Sequence, residues 1–270
     1  MIQSLGLVRS PENATPEARR HDGSLTLQET EKAWTPDHLP VEEVAIHPRT
    51  RIVYHTDPRG VAADRFRYMR MRLRDLWNTG KLKKLLIASP LPQDGKSTVA
   101  LNLATALTER GKKSVLLIDA DLYHPVLDQL LGLKPGPGLA ECLENGLSPF
   151  SALRRIAPLG WCLLPAGKPT ANPSELLHNG GLAEMLQKLS PYFDWILVDS
   201  PPMTPLTDAL ALAQQTDASL MVVRAGRTSP EAVKAAVAAL PAKHVIGVVL
   251  NGVQGLERLY SKYYGGYRYT

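Results

Sequence analysis

The stretch that decides the fold is Leu85–Thr98, which reads LLIASPLPQDGKST. Its first five residues form an apolar run of the length expected for a buried strand, and a helical pattern begins directly after the glycine and lysine. This order puts the loop at a helix N-terminus, where backbone N–H groups and the helix dipole attract phosphate oxygens. The sequence therefore predicts a phosphate-binding loop of the Walker A type.

Three residues of the loop have specific tasks in this chemistry. Gly95 lets the backbone come close, Lys96 brings a positive charge to the phosphates, and Ser97 offers its hydroxyl to Mg²⁺. The general pattern has a glycine five residues before Gly95, where this chain has Pro90. A chance Gly-Lys-Ser-Thr in a surface turn is the alternative. The predicted nucleotide-binding residues are Pro92, Gln93, Asp94, Gly95, Lys96, Ser97 and Thr98.

Short apolar segments alternate with helical patterns from residue 84 onward. Such alternation is typical of a mostly parallel β-sheet with helices on both faces, here a three-layer α/β P-loop NTPase. The predicted strands are Leu85–Ser89, Ser114–Asp119, Trp161–Pro165, Trp195–Asp199, Ser219–Val223 and Val245–Asn251. The predicted helices are Ser97–Arg110, Pro125–Leu131, Ser174–Leu189, Thr207–Gln215 and Pro230–Leu240.

Carboxylates follow two of these strands directly. Asp119 and Asp121 end the second strand, and Asp199 ends the fourth. Ligands of such sheets bind at the carboxyl ends of the strands, and carboxylate oxygens suit Mg²⁺ or can accept a proton from an attacking hydroxyl. Each aspartate alone could be a helix cap or a loop residue. Together with the Walker loop they predict an ATP–Mg²⁺ site.

The composition narrows the class of protein. The 270 residues are 44% hydrophobic, enough for one sizeable domain with extensions. Cys142 and Cys162 lie in apolar stretches and fit a reducing compartment. Because the sequence has neither a signal-peptide pattern nor an apolar run of the ~20 residues that a membrane span needs, we expect a soluble cytoplasmic protein.

Charge and periodicity divide the chain into four predicted parts. Residues 1–50 lack hydrophobic periodicity and are predicted to be a flexible arm. Residues 51–83 form a basic segment with a helix over Asp64–Trp77. Residues 84–255 form the P-loop domain, and residues 256–270 form a flexible tyrosine-rich tail. The basic segment could be an ordinary solvated helix face or a contact surface for something acidic.

Several motifs together resemble one family, the bacterial tyrosine kinases (BY-kinases) that govern capsule and exopolysaccharide synthesis. The resemblance covers roughly residues 60–270. It includes a modified Walker A loop, a second motif in which three apolar residues precede Asp-x-Asp, and a Walker B strand. The segments that carry it are Ser89–Thr98, Leu116–Asp121, Leu164–Gly167, Asn172–Leu177 and Ile196–Pro201.

The tail supplies a feature that distinguishes this family from its relatives. Five of the nine tyrosines fall within ten positions. The resemblance implies that they are autophosphorylation sites, presented to a neighbouring subunit's active site. An aromatic tail without chemistry and base stacking on single-stranded nucleic acid are the alternatives. The tyrosines are Tyr260, Tyr263, Tyr264, Tyr267 and Tyr269.

The resemblance also implies an assembly. Asp64, Arg67 and Arg70 have the spacing of the family's Glu-x-x-Arg-x-x-Arg oligomerisation motif, which implies a homo-oligomeric ring. Other implied partners are a transmembrane adaptor of the polysaccharide co-polymerase type and a cognate phosphotyrosine phosphatase, with no nucleic acid. The protein would then lie at the inner face of the plasma membrane through its adaptor.

Within the site, the resemblance and the chemistry together suggest roles. Lys96, Asp119, Asp121 and Asp199 are the predicted catalytic residues. Asp119 would accept or orient the tyrosine hydroxyl, while Ser97, Asp121 and Asp199 would hold Mg²⁺ directly or through water. Asn251 ends the last strand and could contact adenine or serve an ordinary turn.

Some positions depart from the family pattern. Tyr123 stands where the family usually has arginine, Gln93 stands for glycine and Asp94 for glutamate. Gln93 could hinder a backbone conformation that glycine allows. Two other functions therefore stay open: a partition-type ATPase switch without protein phosphorylation, and a nucleotide-binding scaffold. The partition-type ATPases usually carry an extra lysine near the start of the loop, which is missing at positions 90–95.

Overall fold

A computed structural model describes residues 34–204 and 208–255. They contain an eight-stranded sheet in the order β1-β4-β5-β3-β6-β2-β7-β8. Every neighbouring pair is parallel except β4 and β5, which are antiparallel. The strands are β1 Val41–Glu43, β2 Lys84–Ala88, β3 Val115–Asp119, β4 Arg154–Ala157, β5 Trp161–Leu164, β6 Trp195–Asp199, β7 Ala218–Arg224 and β8 Val245–Asn251.

Helices connect the strands and cover the sheet. The α-helices are Val53–Thr56, Val61–Asn78, Lys96–Leu107, Leu127–Leu131, Leu139–Asn145, Pro149–Ala152, Pro173–His178, Gly181–Leu189, Asp208–Ala213 and Pro230–Ala239. Short 3-10 helices are Pro36–His38, Pro48–Thr50 and Ser190–Tyr192. Successive β2 residues, Leu85, Leu86 and Ile87, are all buried, so both faces of the sheet are covered. The predicted α/β fold is confirmed.

The long helix Val61–Asn78 and the segment before it both pack against the core. Near its C-terminus, the indole of Trp77 stacks on Trp195 and donates a hydrogen bond to the carbonyl of Asp194 at 2.9 Å. Before the helix, the buried side chain of Asn102 accepts from the Val53 N–H at 2.8 Å and donates to the Arg51 carbonyl at 2.9 Å. The basic segment is therefore part of the packed domain.

Two strands were missed in the sequence. Val41–Glu43 pairs with Arg154–Ala157, and that strand pairs with Trp161–Leu164. Both are short and rich in charged residues, because they lie toward one margin of the sheet, where an apolar run is not required. The prediction of a flexible arm over residues 1–50 was wrong for Val41–Glu43, which hydrogen-bonds into the sheet.

One helix was predicted too long. The segment Ser174–Leu189 forms two helices, Pro173–His178 and Gly181–Leu189, because Gly180 adopts a left-handed conformation with φ of 85°. The apolar positions on either side of this break kept helical spacing, which concealed it. No helix within residues 34–204 and 208–255 is both long and apolar enough to cross a membrane.

Candidate functional site

The phosphate loop between β2 and the helix Lys96–Leu107 depends on glycine at its last position. Gly95 has φ of 95° and ψ of 25°, in the left-handed region that glycine tolerates best. A Cβ atom at Gly95 would lie 2.0 Å from Nδ2 of Asn251. Space and backbone conformation therefore both exclude a side chain here. The first N–H groups of the helix face outward from this turn and can receive phosphate oxygens.

Asp94 stabilises the phosphate loop through hydrogen bonds. Its side chain is fully buried, and its two carboxylate oxygens accept hydrogen bonds from the Thr228 hydroxyl at 2.7 Å and the Leu91 N–H at 3.1 Å. Its carbonyl accepts a hydrogen bond from Nδ2 of Asn251 at 2.9 Å. Asn251 thus holds the loop backbone, a role that the sequence did not suggest. Its contact with adenine stays a prediction.

Gln93, which stands where the family usually has glycine, adopts a backbone conformation that glycine tolerates better. Its φ is 64°, in the left-handed region. For a residue with a Cβ atom this conformation costs roughly 1–2 kcal/mol. The side-chain oxygen of Gln93 accepts a hydrogen bond from Arg227 at 3.1 Å, which helps to fix the strained residue.

A cavity of about 520 Å³ lies beside the loop. Its lining includes Gly95, Lys96, Ser97, Thr98 and Asp121, all of which the sequence assigned to nucleotide or metal. Four further lining residues were missed as site residues: His124, Val126, Leu130 and Pro202. His124 and Pro202 follow the acidic motifs in loops that carry no regular pattern.

Lys96 and Asp121 form a buried ion pair at the floor of this cavity. Nζ of Lys96 donates to Oδ2 of Asp121 at 2.9 Å, and Oδ1 of Asp121 accepts the N–H of His124 at 3.1 Å. Burial alone would lower the pKa of Lys96, but the carboxylates of Asp199 and Asp121 outweigh it and raise that pKa. The lysine therefore stays protonated, and its ammonium group can interact with a phosphate as well as with Asp121.

Asp119 and Asp199 are neighbours across adjacent strands. The register of β3 and β6 pairs their backbones directly, and both carboxyl groups are buried. Burial and the nearby charge of Asp199 raise the pKa of Asp119 to about 8. Burial raises the pKa of Asp199 to about 6, although the Lys96 ammonium opposes the shift. The strand ends thus hold two carboxyls that resist simultaneous ionisation.

The surroundings of Asp199 fit a divalent cation. Neither of its buried carboxylate oxygens has a well-formed hydrogen bond among the described residues, although the nearby Lys96 ammonium and Ser97 hydroxyl act to lower its pKa. A buried carboxylate without a partner is costly, and an oxygen-seeking ion such as Mg²⁺ would satisfy it. The described residues contain no cluster of three His, Cys, Asp or Glu side chains that could hold a metal. Phosphate oxygens, water and the Ser97 hydroxyl would have to complete the coordination.

Asp119 borders a second cavity, of about 710 Å³. Its carboxylate accepts the N–H groups of Asp121 at 3.3 Å and Leu127 at 3.2 Å, which fix its orientation. Pro125, Pro135 and Lys168 are among the other residues that line this space. Asp119 therefore lines the second cavity, whereas Asp121, two residues later, lines the loop cavity.

Comparison with known proteins shows the family to which this chain belongs. The model described as "ParA: NUBPL iron-transfer P-loop NTPase" matches residues 83–253. The tyrosine-protein kinase YwqD of Bacillus subtilis (strain 168) is 31% identical over 216 residues, which cover 79% of this chain and 91% of YwqD. The succinoglycan biosynthesis transport protein ExoP of Rhizobium meliloti (strain 1021) is 32% identical over 226 residues, 77% of this chain and 29% of ExoP.

A solved structure agrees with these relatives. The kinase domain of the Escherichia coli tyrosine kinase ETK has a TM-score of 0.71 at 26% identity, over 75% of this chain and 80% of that domain. The chain belongs to the bacterial tyrosine kinases. It spans 91% of YwqD, but only 29% of ExoP and 23% of the tyrosine-protein kinase ptk of Acinetobacter johnsonii. Its enzyme class is that of a protein-tyrosine kinase, as the motifs predicted.

Two predicted features of this BY-kinase remain predictions. The tail tyrosines Tyr260, Tyr263, Tyr264, Tyr267 and Tyr269 lie outside the described residues. The oligomerisation residues share one helix, but they also contact their own chain: Arg67 pairs with Asp64 and with the carbonyl of Pro58. Arg70 donates weakly to the Ala106 carbonyl at 3.4 Å. A ring contact would have to exchange or share these partners.

Proposed function

We propose that this BY-kinase transfers the γ-phosphoryl group of ATP to tyrosines of its own C-terminal cluster, between copies of the chain. The observation that carries the proposal is the position of Asp119. It lies beside Asp199 at the acidic strand ends, and it borders a cavity separate from the one beside the phosphate loop. The loop cavity is lined by Asp121 and the second cavity by Asp119, so a donor and an acceptor could meet at the acidic motif that follows β3.

The loop would hold the nucleotide. Lys96 would leave its ion pair with Asp121 in part and donate to the β- and γ-phosphates, together with the N–H groups that follow Gly95. Ser97, Asp121 and Asp199 would hold Mg²⁺, which when bound neutralises charge on the phosphates. Asp94, Asn251 and Thr228 would keep the loop in shape through the hydrogen bonds described above.

Asp119 would act on the incoming tyrosine. The phenol oxygen forms the new bond to phosphorus, the bond to the bridging oxygen of ADP breaks, and the phenolic proton passes to the Asp119 carboxylate. A phenol has a pKa of about 10, so a base with a pKa of about 8 is better matched to it than an ordinary carboxylate. The raised pKa of Asp119 supports this assignment.

Assembly and biology follow from the family. We propose a homo-oligomer that uses Asp64, Arg67 and Arg70, a transmembrane adaptor of the co-polymerase type, and a cognate phosphatase. The kinase would act in the cytoplasm at the plasma membrane and regulate exopolysaccharide or capsule synthesis and export. ExoP supports this part, since it is named for succinoglycan biosynthesis transport and contains a related segment within a longer chain.

Intact-mass measurement after incubation with ATP and Mg²⁺ tests the proposal. A ladder of phosphate additions should appear on the wild-type chain and map to peptides from residues 256–270. It should vanish in Lys96→Met and in a variant with all five tail tyrosines changed to phenylalanine. The tyrosine variant should still hydrolyse ATP, which separates loss of acceptors from loss of the site.

The same experiment can contradict the proposal. Hydrolysis of ATP without any mass increase, also with the cytoplasmic part of an adaptor supplied, would favour the partition-type switch. The match of the ParA model to residues 83–253 is the observation that favours this alternative. Nucleotide binding without hydrolysis or mass increase would favour a scaffold.

A further inference from the structure

An apolar groove runs between the long helix Val61–Asn78 and strand β8, far along the sheet from β3. It forms a cavity of about 830 Å³. The helix contributes Tyr68 and Leu76 to its wall, and these side chains are 57% and 38% exposed. Exposed aromatic and aliphatic side chains along one groove indicate a surface that is covered at some stage of the protein's work.

The floor of the groove is apolar as well. Register pairs Leu220 of β7 with Gly247 of β8 and Val222 with Val249, so these four residues share one face of the sheet. Val249 packs against the same apolar cluster as Leu220. Gly247 has no side chain to fill the space above Leu220, which leaves the groove open at its centre.

The chain itself leads into this groove. Strand β8 ends at Asn251, and Val253 lines the groove two residues later. Gly252 and Gly255 have positive φ values of 71° and 76°, which allow sharp changes of direction. The described residues therefore end close to the groove, and the fifteen residues that follow in the sequence are enough to reach it.

The sequence that follows has the pattern of an amphipathic helix. Apolar or aromatic residues fall at i, i+3, i+4 and i+7, with polar residues between them. The four that share one face are Leu256, Leu259, Tyr260 and Tyr263. Eight helical residues span about 12 Å, the same length as the groove wall from Tyr68 to Leu76.

We propose that residues 256–263 dock as an amphipathic helix in the groove between Val61–Asn78 and β8. Docking buries Tyr260 and Tyr263 and leaves Tyr264, Tyr267 and Tyr269 beyond the end of the docked segment. The five tyrosines thus fall into a sheltered pair and an accessible group of three. A phosphate adds a charge of about −1.5 to −2, which cannot be buried against the apolar floor formed by Leu220, Gly247 and Val249. A phosphorylated Tyr260 or Tyr263 could stay in the groove only beside Arg65 and Arg72, which also line it, so phosphorylation opposes the docked arrangement.

The consequence for phosphorylation rests on the proposed kinase function, but the docking itself does not. Tyr264, Tyr267 and Tyr269 would be modified first. Tyr260 and Tyr263 would be modified only when the helix leaves the groove. The groove would then make the degree of phosphorylation depend on release of the tail.

Amide hydrogen exchange on the full-length chain without nucleotide tests the docking. Peptides from residues 256–263 should exchange at least about tenfold more slowly than an unstructured peptide, because docked amides open rarely. Leu259→Asp on the apolar face and Tyr68→Asp on the groove wall should each abolish this protection. Lys262→Asp, the same new residue on the polar face, should keep it.

Three results would overturn the docking. Unprotected amides over residues 256–263 in the wild-type chain would do so, as would equal protection in Leu259→Asp and Lys262→Asp. Protection that disappears on dilution would show that the groove takes a segment from a second copy instead. Light scattering at the same concentrations identifies that case.

Phosphorylation kinetics at single tyrosines test the consequence. In the wild-type chain Tyr260 and Tyr263 should lag behind Tyr267, and in Leu259→Asp the lag should vanish, with Lys262→Asp resembling wild type. Equal rates for all five tyrosines in the wild-type chain would contradict the sorting. Protection of residues 256–263 without any phosphorylation would leave the docking intact and contradict the proposed kinase function alone.

Discussion

At the ends of β3 and β6 the protein buries two neighbouring carboxyl groups, whereas in the groove beside β8 it exposes apolar side chains. Asp119 and Asp199 have raised pKa values because they are buried close together. Tyr68 and Leu76, on the wall of the groove beside β8, are 57% and 38% exposed. Both arrangements cost free energy in the isolated chain. The difference indicates what each region binds: cations and phosphate in one, and an apolar segment in the other.

Replacement of Asp119 should have the largest effect on the first region. Asp119→Asn keeps the shape of the side chain but removes the proton acceptor, so tyrosine phosphorylation should fall by about 10²- to 10⁴-fold. Nucleotide binding should change little, because Asp119 does not line the loop cavity. Wild-type phosphorylation should rise as the pH increases toward about 8, since Asp119 must be ionised to accept the proton.

The measurement is the initial rate of phosphate incorporation between pH 6 and 9, at saturating ATP and Mg²⁺. Binding of a fluorescent nucleotide to the same preparations is the control. Full activity in Asp119→Asn would remove the proton acceptor from the mechanism and leave the buried carboxylates without their proposed task.

Gly95→Ala should have the next largest effect. The new Cβ atom would overlap Nδ2 of Asn251, and the backbone would remain in the left-handed region. The loop must move, and nucleotide affinity should fall by about 10- to 100-fold, corresponding to the 1–3 kcal/mol of such strain. Gly80→Ala is the matched control: Gly80 also has a positive φ, but its Cβ would meet no atom of the described chain within 4 Å. Calorimetric titration with nucleotide compares the two, and equal losses would contradict this account.

The fold was largely predictable because the inner strands are continuous apolar runs. The strands β6 and β8 were predicted with the observed ends, and β2, β3, β5 and β7 were predicted to within one residue at either end. Val41–Glu43 and Arg154–Ala157 were missed because strands toward that margin need no apolar run. No local pattern could reveal them.

The site was predictable only in part, for a similar reason. Asp119 and Asp199 occupy recognisable places at strand ends, and Lys96 begins the helix after the phosphate loop. The hydrogen bonds from Thr228 and Asn251 to Asp94 join segments more than 130 residues apart, so spacing carries no signal for them. Burial of Asp94 decides its role, and burial is a result of packing rather than of local sequence.

Stability as a function of pH should distinguish the two regions. In the unfolded chain the carboxyl of Asp119 has its ordinary pKa of 3.8, and in the folded chain it is raised to about 8. Folding therefore takes up a proton, and the corresponding stability is present at low pH and lost as the pH rises through about 8. Without nucleotide, Asp119→Asn should be more stable than wild type at pH 9 by about 1–3 kcal/mol, because the amide carries no buried charge beside Asp199.

Urea unfolding at pH 6, 7, 8 and 9 measures this difference. The gap between Asp119→Asn and wild type should widen with pH, while Leu259→Asp, which changes the segment proposed to dock in the apolar groove, should shift stability by the same amount at every pH. A constant gap for Asp119→Asn would mean that the two strand-end carboxyls do not oppose each other in the folded state.

Gln93→Gly should give the smallest change, and its sign decides which of two effects is larger. Relief of the left-handed backbone at φ of 64° stabilises the loop by roughly 1–2 kcal/mol. Loss of the hydrogen bond from Arg227 and the greater freedom of glycine in the unfolded chain oppose this by about 1 kcal/mol each. We therefore expect a change in unfolding free energy within about 1 kcal/mol of zero, with nucleotide affinity equal to or above wild type.

Arg227→Ala removes the same hydrogen bond without relieving the strain, and it should destabilise the chain. If Gln93→Gly and Arg227→Ala weaken nucleotide binding equally, the hydrogen bond shapes the loop and the strain is incidental. If only Gln93→Gly strengthens binding, the strained residue restrains the kinase at the step of nucleotide capture.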